Sequence, residues 1–177
     1  MTFYFDACLS KRIAKFIKEL GVSVVTTKGV FGDDSVDDEM WMLVCGMFGW
    51  VIVTTDARIR KNPGQRKLLE ALPCVTFFIE DRYVNLGIFA QASYMAGHWQ
   101  RLAETAATAQ PRTSFRMDRY GHIVESEEYE RERQRKAQQR QEAYRLRKAG
   151  KDGGVTVEGR GGEAEGGRPA AQAPKAE

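Results

Sequence analysis

The chain has 177 residues, of which 42% are hydrophobic and 29% are charged. This length fits one domain of ordinary size with appendages, and the composition excludes a wholly disordered, collagen-like or disulfide-rich protein. The 27 basic and 24 acidic residues nearly balance, so global charge does not indicate nucleic-acid binding. No apolar run is long enough to span a membrane and the N-terminus has no signal-peptide pattern, so we expect no membrane association and a cytoplasmic location.

Strand and helix patterns alternate through the first eighty residues. Strands are predicted at 2–5, 22–26, 51–54 and 75–79, helices at 9–20, 36–48 and 65–72, and a loop at 29–35. This alternation predicts an α/β fold with a mostly parallel sheet and helices on both faces, because parallel crossovers are right-handed. A long helix follows at 85–108 and a small hairpin at 114–124.

The composition changes after residue 124. Residues 125–149 are rich in charged side chains and lack an apolar stripe, which predicts a solvated helix with internal ion pairs. Residues 150–177 contain 8 of the 17 glycines and are predicted to be a disordered tail. We therefore divide the chain into a domain at 1–124, a charged helical extension and a tail.

Three carboxylates follow predicted strands directly. Asp6 comes after the first strand, Asp56 after the third and Asp81 after the fourth. Because the carboxyl ends of parallel strands share one edge of a sheet, these side chains are expected to converge. Like charges at close range raise one another's pKa, and a hard divalent cation such as Mg²⁺ or Mn²⁺ removes that conflict.

The second predicted helix opens with a cluster of acids. The predicted buried face of this helix consists of Met40, Leu43, Val44 and Met47. Asp37 precedes Val44 by seven residues, or two helical turns, so it is predicted to point inward as a ligand. Asp38 precedes Met42 by four residues and is placed further round the helix. The remaining acids are expected to be capping or solvated charges: Asp33, Asp34 and Glu39.

Three motifs in this order resemble those of the PIN-like nuclease superfamily, and within it small bacterial proteins related to VapC-type toxins. They are Phe-Asp at 5–6 followed by Cys-Leu-Ser at 8–10, Val-Asp-Asp-Glu-Met at 36–40, and Val-Ile-Val-Thr-Thr-Asp at 51–56. The resemblance covers residues 2–82. Cys8 departs from it, since relatives often have Asn there.

The resemblance implies a three-layer PIN-like fold with a sheet of four to five strands. It implies a metal-dependent endoribonuclease that uses Mg²⁺ or Mn²⁺, with Asp6, Asp37 and Asp56 as catalytic ligands and Asp81 as a fourth. The implied partners are an RNA substrate, an antitoxin protein and a second copy in a homodimer. Two metals bound in this way could stabilise both oxygens of a phosphoryl displacement without a histidine base.

A basic stretch follows Asp56 and is expected at the edge of the acidic site. Thr55, Arg58, Arg60 and Lys61 are its candidates for contact with substrate phosphate, although a solvated loop and helix face would have the same composition. Thr54 is more simply interpreted as an ordinary strand residue.

Two other functions remain open at this point. One is a catalytically silent PIN-like binding module that acts through the charged C-terminal helix. The other is a different phosphoryl enzyme with an acidic pocket. A haloacid-dehalogenase phosphatase would require Asp at position 8, where Cys8 stands, and a receiver domain would require a late lysine that is not evident.

Overall fold

One six-stranded sheet organises the fold in the computed structural model, which describes residues 1–152. The strands are β1 Phe3–Phe5, β2 Val24–Thr26, β3 Val51–Thr54, β4 Thr76–Ile79, β5 Ser114–Met117 and β6 Ile123–Glu125. Their order is β2-β1-β3-β4-β5-β6, and only β5 and β6 pair antiparallel. The mostly parallel α/β prediction is confirmed, as is the hairpin. The sheet has one strand more than the upper number predicted, because the hairpin joins it through parallel pairing of β5 with β4.

Seven α-helices accompany the sheet in residues 1–152. They are α1 Lys11–Glu19, α2 Thr27–Phe31, α3 Asp38–Phe48, α4 Ala57–Lys61, α5 Pro63–Ala71, α6 Ile88–Thr108 and α7 Ser126–Asp152, with a 3₁₀ turn at Asp81–Asn85. Helix α2 includes the first three residues of the loop predicted at 29–35, and α4 was not predicted. Both are five residues long, too short for a periodic pattern, and both begin at a capping side chain, Thr26 and Asp56 respectively.

Successive side chains of the central strands enter two different cores. Phe3 and Phe5 of β1 pack in one core with residues of α1 and α6, whereas Tyr4 packs in the other with residues of α3, α4 and α5. Strands β3 and β4 alternate in the same way, and both are buried throughout. The predicted three layers are therefore present, and the central strands are apolar on both faces because helices cover both.

Helix α3 buries a different face from the one predicted. Its fully buried side chains include Trp41, Met42 and Cys45, whereas Met40 is 54% exposed and Met47 is 79% exposed. Apolar residues surround most of this helix, so periodicity did not identify the inner face. The indole of Trp41 decides it, because that ring stacks on Tyr4 at a centroid distance of 5.1 Å.

The charged C-terminal helix, α7, extends beyond the predicted segment. Residues 1–136 form one compact unit that includes the start of α7, and the rest of α7 lies outside that unit. Residues 150–152, assigned to the tail, are helical. The remainder of the predicted tail lies outside the described residues. Among the helices of residues 1–152, none combines the length and apolar character that a membrane span requires.

The turn between β5 and β6 provides a test of this packing. Gly121 has a φ of +76°, and a Cβ there would collide with the ring of His98 on α6. Gly21 has a φ of +85° and open space around it. Gly121→Ala is therefore expected to lower the free energy of unfolding by about 1–3 kcal/mol more than Gly21→Ala, since both pay for a left-handed residue but only one is overpacked. Urea denaturation measures the difference, and equal losses would contradict the described contact.

Candidate active site

Asp6 is a buried carboxylate at the carboxyl end of β1. Asp6 is only 8% exposed, and its backbone N–H donates a hydrogen bond to the Val53 carbonyl of the adjacent strand at 3.2 Å. Its Oδ2 accepts hydrogen bonds from Thr54 Oγ1 at 2.7 Å and from Cys8 Sγ at 2.8 Å. A buried charge needs such donors, which also fix its orientation.

The hydroxyl of Thr54 connects two of the predicted site residues. Besides donating to Asp6, Thr54 Oγ1 accepts a hydrogen bond from the backbone N–H of Asp56 at 3.0 Å. The sequence offered no sign of this role, because threonine is common in strands for its shape alone. Thr55, the predicted phosphate contact, is only 7% exposed, and its backbone N–H donates to Cys8 Sγ at 3.2 Å.

Cys8 behaves as a thiol donor within this network. Burial raises the pKa of Cys8 to about 11, and the negative charge of Asp6 contributes to the rise. A protonated thiol supports the neighbouring carboxylate and is a poor ligand for hard cations. The thiol therefore acts through hydrogen bonds at the position where relatives of the resembled family often have Asn, although the residue as a whole is exposed.

Asp56 is held by the arginine two residues later. Arg58 Nη2 lies 2.6 Å from Asp56 Oδ2, and Arg58 Nε lies 3.0 Å from both carboxylate oxygens. These hydrogen bonds lower the pKa of Asp56. The same carboxylate caps α4 by accepting from the backbone N–H of Arg58 at 2.7 Å. The guanidinium is largely exposed, so it can leave Asp56 without disturbing the core.

Asp38 is a half-buried acid at the first residue of α3. Its Oδ1 accepts from Trp41 Nε1 at 3.1 Å, and its Oδ2 accepts from Gln65 Nε2 at 3.0 Å. Burial is the main cause of the raised pKa of Tyr4, and the charges of Asp6 and Asp38 add to it. The charges of Asp38 and Asp6 also contribute, after that of Asp56, to the raised pKa of Arg58. Asp6, Asp38 and Asp56 are called the acidic group below.

The prediction that Asp37 points inward on the buried face is wrong. Asp37 is the N-cap of α3, exposed, and its Oδ1 accepts the backbone N–H of Glu39 at 3.1 Å. Because the helix begins two residues later than predicted and buries another face, the inward acid is Asp38. A signal for this was present in the sequence, since Asp38 precedes Trp41 and Met42 by three and four residues.

The fourth predicted acid lies in a different cavity, which both acidic and basic side chains line. Asp81 begins the 3₁₀ turn, is exposed, and lines a cavity together with Arg60, Lys61 and Arg116. No hydrogen bond within residues 1–152 joins it to the acidic group. The basic stretch is divided in the same way, since Arg58 lies on Asp56 whereas Arg60 and Lys61 face that cavity. The roles predicted for these residues stay predictions.

The acidic group has the donor chemistry of a site for a hard divalent cation. Its members offer carboxylate oxygens, and Asp6 Oδ1 accepts no hydrogen bond from the described residues. Within residues 1–152, no three side chains of the His, Cys, Asp or Glu type are close enough as arranged to hold a metal. Asp56 in particular is engaged by Arg58. The residues therefore have the ligand chemistry that a hard cation requires, and Arg58 competes with such a cation for Asp56.

Comparison with known proteins agrees with this arrangement. Residues 1–81 match the model of a family described as a PIN-like domain, a span that contains β1–β4 and the whole acidic group. This match supports a PIN-like domain in this part of the chain, and such domains are generally nucleases. The curated proteins and the solved structures gave no significant match.

The hydroxyl of Thr54 is testable by an isosteric change. Thr54→Val removes the donor to Asp6 Oδ2 and the acceptor for the Asp56 backbone N–H, leaving polar groups without these partners. We expect the free energy of unfolding to fall by about 1–3 kcal/mol. Thr55→Val is the matched control, because that hydroxyl makes no hydrogen bond to Asp6. Urea denaturation with both variants measures the difference, and equal stability of Thr54→Val and wild type would contradict the network.

Proposed function

We propose that the protein is a metal-dependent ribonuclease whose acidic group is Asp6, Asp38 and Asp56. The observation that carries the proposal is the buried Asp6 carboxylate, oriented by Thr54, at the sheet edge where the charges of the other two acids also act. A fold without such a function has no need to bring carboxylates together. The PIN-like domain at residues 1–81 supports phosphodiester hydrolysis as the reaction.

Mg²⁺ or Mn²⁺ is the proposed cofactor, held by the carboxylates of the acidic group. When bound, such a cation lowers the pKa of a water molecule and neutralises charge on the phosphate. Thr54 keeps Asp6 in one orientation for it. Arg58, which pairs with Asp56 and is largely exposed, is the proposed contact for the substrate phosphate.

The finer form of the proposal is an endoribonuclease that acts as the toxin of a toxin–antitoxin pair. Its support is the resemblance of the three motifs at 5–10, 36–40 and 51–56 to VapC-type proteins. An antitoxin partner and a homodimer belong to this form, as does a cytoplasmic location. These rest on the resemblance alone.

A catalytically silent binding module is the second candidate. It is favoured by the pairing of Arg58 with Asp56, and within residues 1–152 no three His, Cys, Asp or Glu side chains are arranged to hold a metal. A silent module has no need to bind a divalent cation. Calorimetric titration of the folded protein with Mn²⁺ separates the two candidates, since binding that Asp6→Asn abolishes supports the nuclease.

Asp38 and Asp37 are adjacent, which gives a sharp test of the acidic group. Asp38→Asn is expected to lower metal-dependent RNA cleavage at least about 100-fold, because the inward carboxylate is lost. Asp37→Asn removes an equal charge but only an exposed cap, and is expected to stay within about threefold of wild type. Cleavage of a labelled RNA is followed with Mn²⁺, Mg²⁺ or EDTA, and circular dichroism confirms folding. Equal loss in both variants would contradict this acidic group.

The arginine on Asp56 predicts a change in metal affinity that needs no catalysis. Arg58→Gln removes the cation that competes for the carboxylate, so Mn²⁺ is expected to bind about fivefold more tightly. Lys61→Gln is the control, since it removes an equal charge from the end of α4 without touching Asp56. Calorimetry measures both. If Arg58→Gln binds no more tightly than the control, the competition does not exist.

A further inference from the structure

A second polar site lies beyond the acidic group. A cavity of about 940 Å³ is lined by residues of α4, α5, β4 and β5 and by the start of α7, all within the compact unit of residues 1–136. Both cations and carboxylates line it, and among them are Arg60 of α4, Arg116 of β5 and Glu130 of α7. The family match ends at residue 81, so Arg116 and α7 are not part of it.

The two arginines are held by aromatic rings and share one carboxylate. The Arg60 guanidinium lies 5.0 Å from the ring centre of Phe78, and that of Arg116 lies 3.8 Å from the ring centre of Tyr129. Each side chain is 21% exposed. Glu130 Oε1 of α7 lies 3.7 Å from Arg60 Nη1 and 3.3 Å from Arg116 Nη1. One carboxylate oxygen therefore serves two half-buried cations.

The cavity has more donors than its own residues satisfy. Arg60 Nε is buried and has no hydrogen-bond partner among the described residues, and the same holds for the hydroxyl of Ser126, which also lines the cavity. Burial, and then the charge of Arg116, lower the pKa of Arg60. Buried donors without partners are uncommon in folded proteins. The unpartnered donors next to the shared carboxylate indicate a binding site for an anion with more charge, or more hydrogen-bond acceptors, than the side chain of Glu130.

A phosphate group meets these requirements best. Its several oxygens can accept from two guanidinium forks at once, whereas Glu130 accepts a hydrogen bond from Arg116 and lies too far from Arg60 to accept a second. A second cavity, of about 450 Å³, shares both arginines and adds Arg82 and Arg119. The arginines therefore extend over a surface longer than one bound anion, as binding of a nucleic-acid backbone with several phosphates would require.

We propose that Arg60 and Arg116 bind a backbone phosphate of single-stranded RNA, and that Glu130 is the internal counter-ion that this phosphate displaces. The choice of RNA rests on the proposed function, although the binding itself requires neither metal nor cleavage. Helix α4 connects the two sites, because Asp56 caps its N-terminus and Arg60 follows four residues, about 6 Å, along it. One strand can therefore reach both.

The test measures binding in EDTA, so that no cleavage takes place. A fluorescein-labelled twelve-nucleotide oligouridylate is titrated with the full chain, and anisotropy gives the Kd. Arg116→Gln is expected to weaken binding about tenfold and to lower the salt dependence by about one phosphate contact. Its control is Arg131→Gln, which removes an equal charge from an exposed pair with Glu127.

The counter-ion gives a change of the opposite sign. Glu130→Gln is expected to tighten binding about threefold, because RNA no longer displaces a carboxylate. Glu132→Gln is its control, since Glu132 lies on the same helix, carries the same charge and pairs with Lys136. Both control variants are expected to change the Kd less than twofold.

Two outcomes, measured on folded protein, would overturn the proposal. In the first, Arg116→Gln has the same Kd as its control Arg131→Gln. In the second, Glu130→Gln has the same Kd as its control Glu132→Gln. Inorganic phosphate that competes as well as the oligonucleotide, at equal phosphate concentration, would also overturn it in favour of a single-anion site. The ribonuclease proposal fails separately. Absence of Mn²⁺-dependent cleavage, with the pattern of Kd values intact, would refute the nuclease and leave the phosphate site in place.

Discussion

The hydrogen bond between Thr54 Oγ1 and Asp6 Oδ2 joins the ends of two adjacent buried strands, and the candidate site depends on it. Strands β1 and β3 are covered by helices on both faces, so a charge at their ends has little access to water. The hydroxyl and the Cys8 thiol replace that water. The same hydroxyl accepts a hydrogen bond from the backbone N–H of Asp56, so the Thr54 side chain positions two acidic residues.

Helix α4 is five residues long, with Asp56 of the acidic group at its N-terminus and Arg60 near its C-terminus. Asp56 begins it, Arg58 turns back to that carboxylate, and Arg60 enters the cavity next to Phe78. A short helix of this kind has little stability of its own, and Ile59 in the core holds it in place. The separation of the acidic group from the cavity that contains Arg60 is therefore a consequence of helical geometry together with one buried side chain.

The strands and the positions of Asp6 and Asp56 could be predicted because parallel buried strands read as apolar runs that end at a polar residue. The inner face of α3 could not be predicted from periodicity, because Leu43 and Met47 are as apolar as the buried side chains but face outward. Helices α2 and α4 depend on capping contacts rather than on a pattern. The pairing of Arg60 with Glu130 joins residues seventy positions apart, and nothing local in the sequence marks it.

The order of these residues along the chain also has a consequence for synthesis. All three acids lie within the first 56 residues, whereas Glu130 follows Asp56 by 74 residues. At about 5–20 residues per second, the ribosome adds that interval in about 4–15 s. A nascent chain therefore carries every member of the acidic group for several seconds before α7 exists to neutralise Arg60.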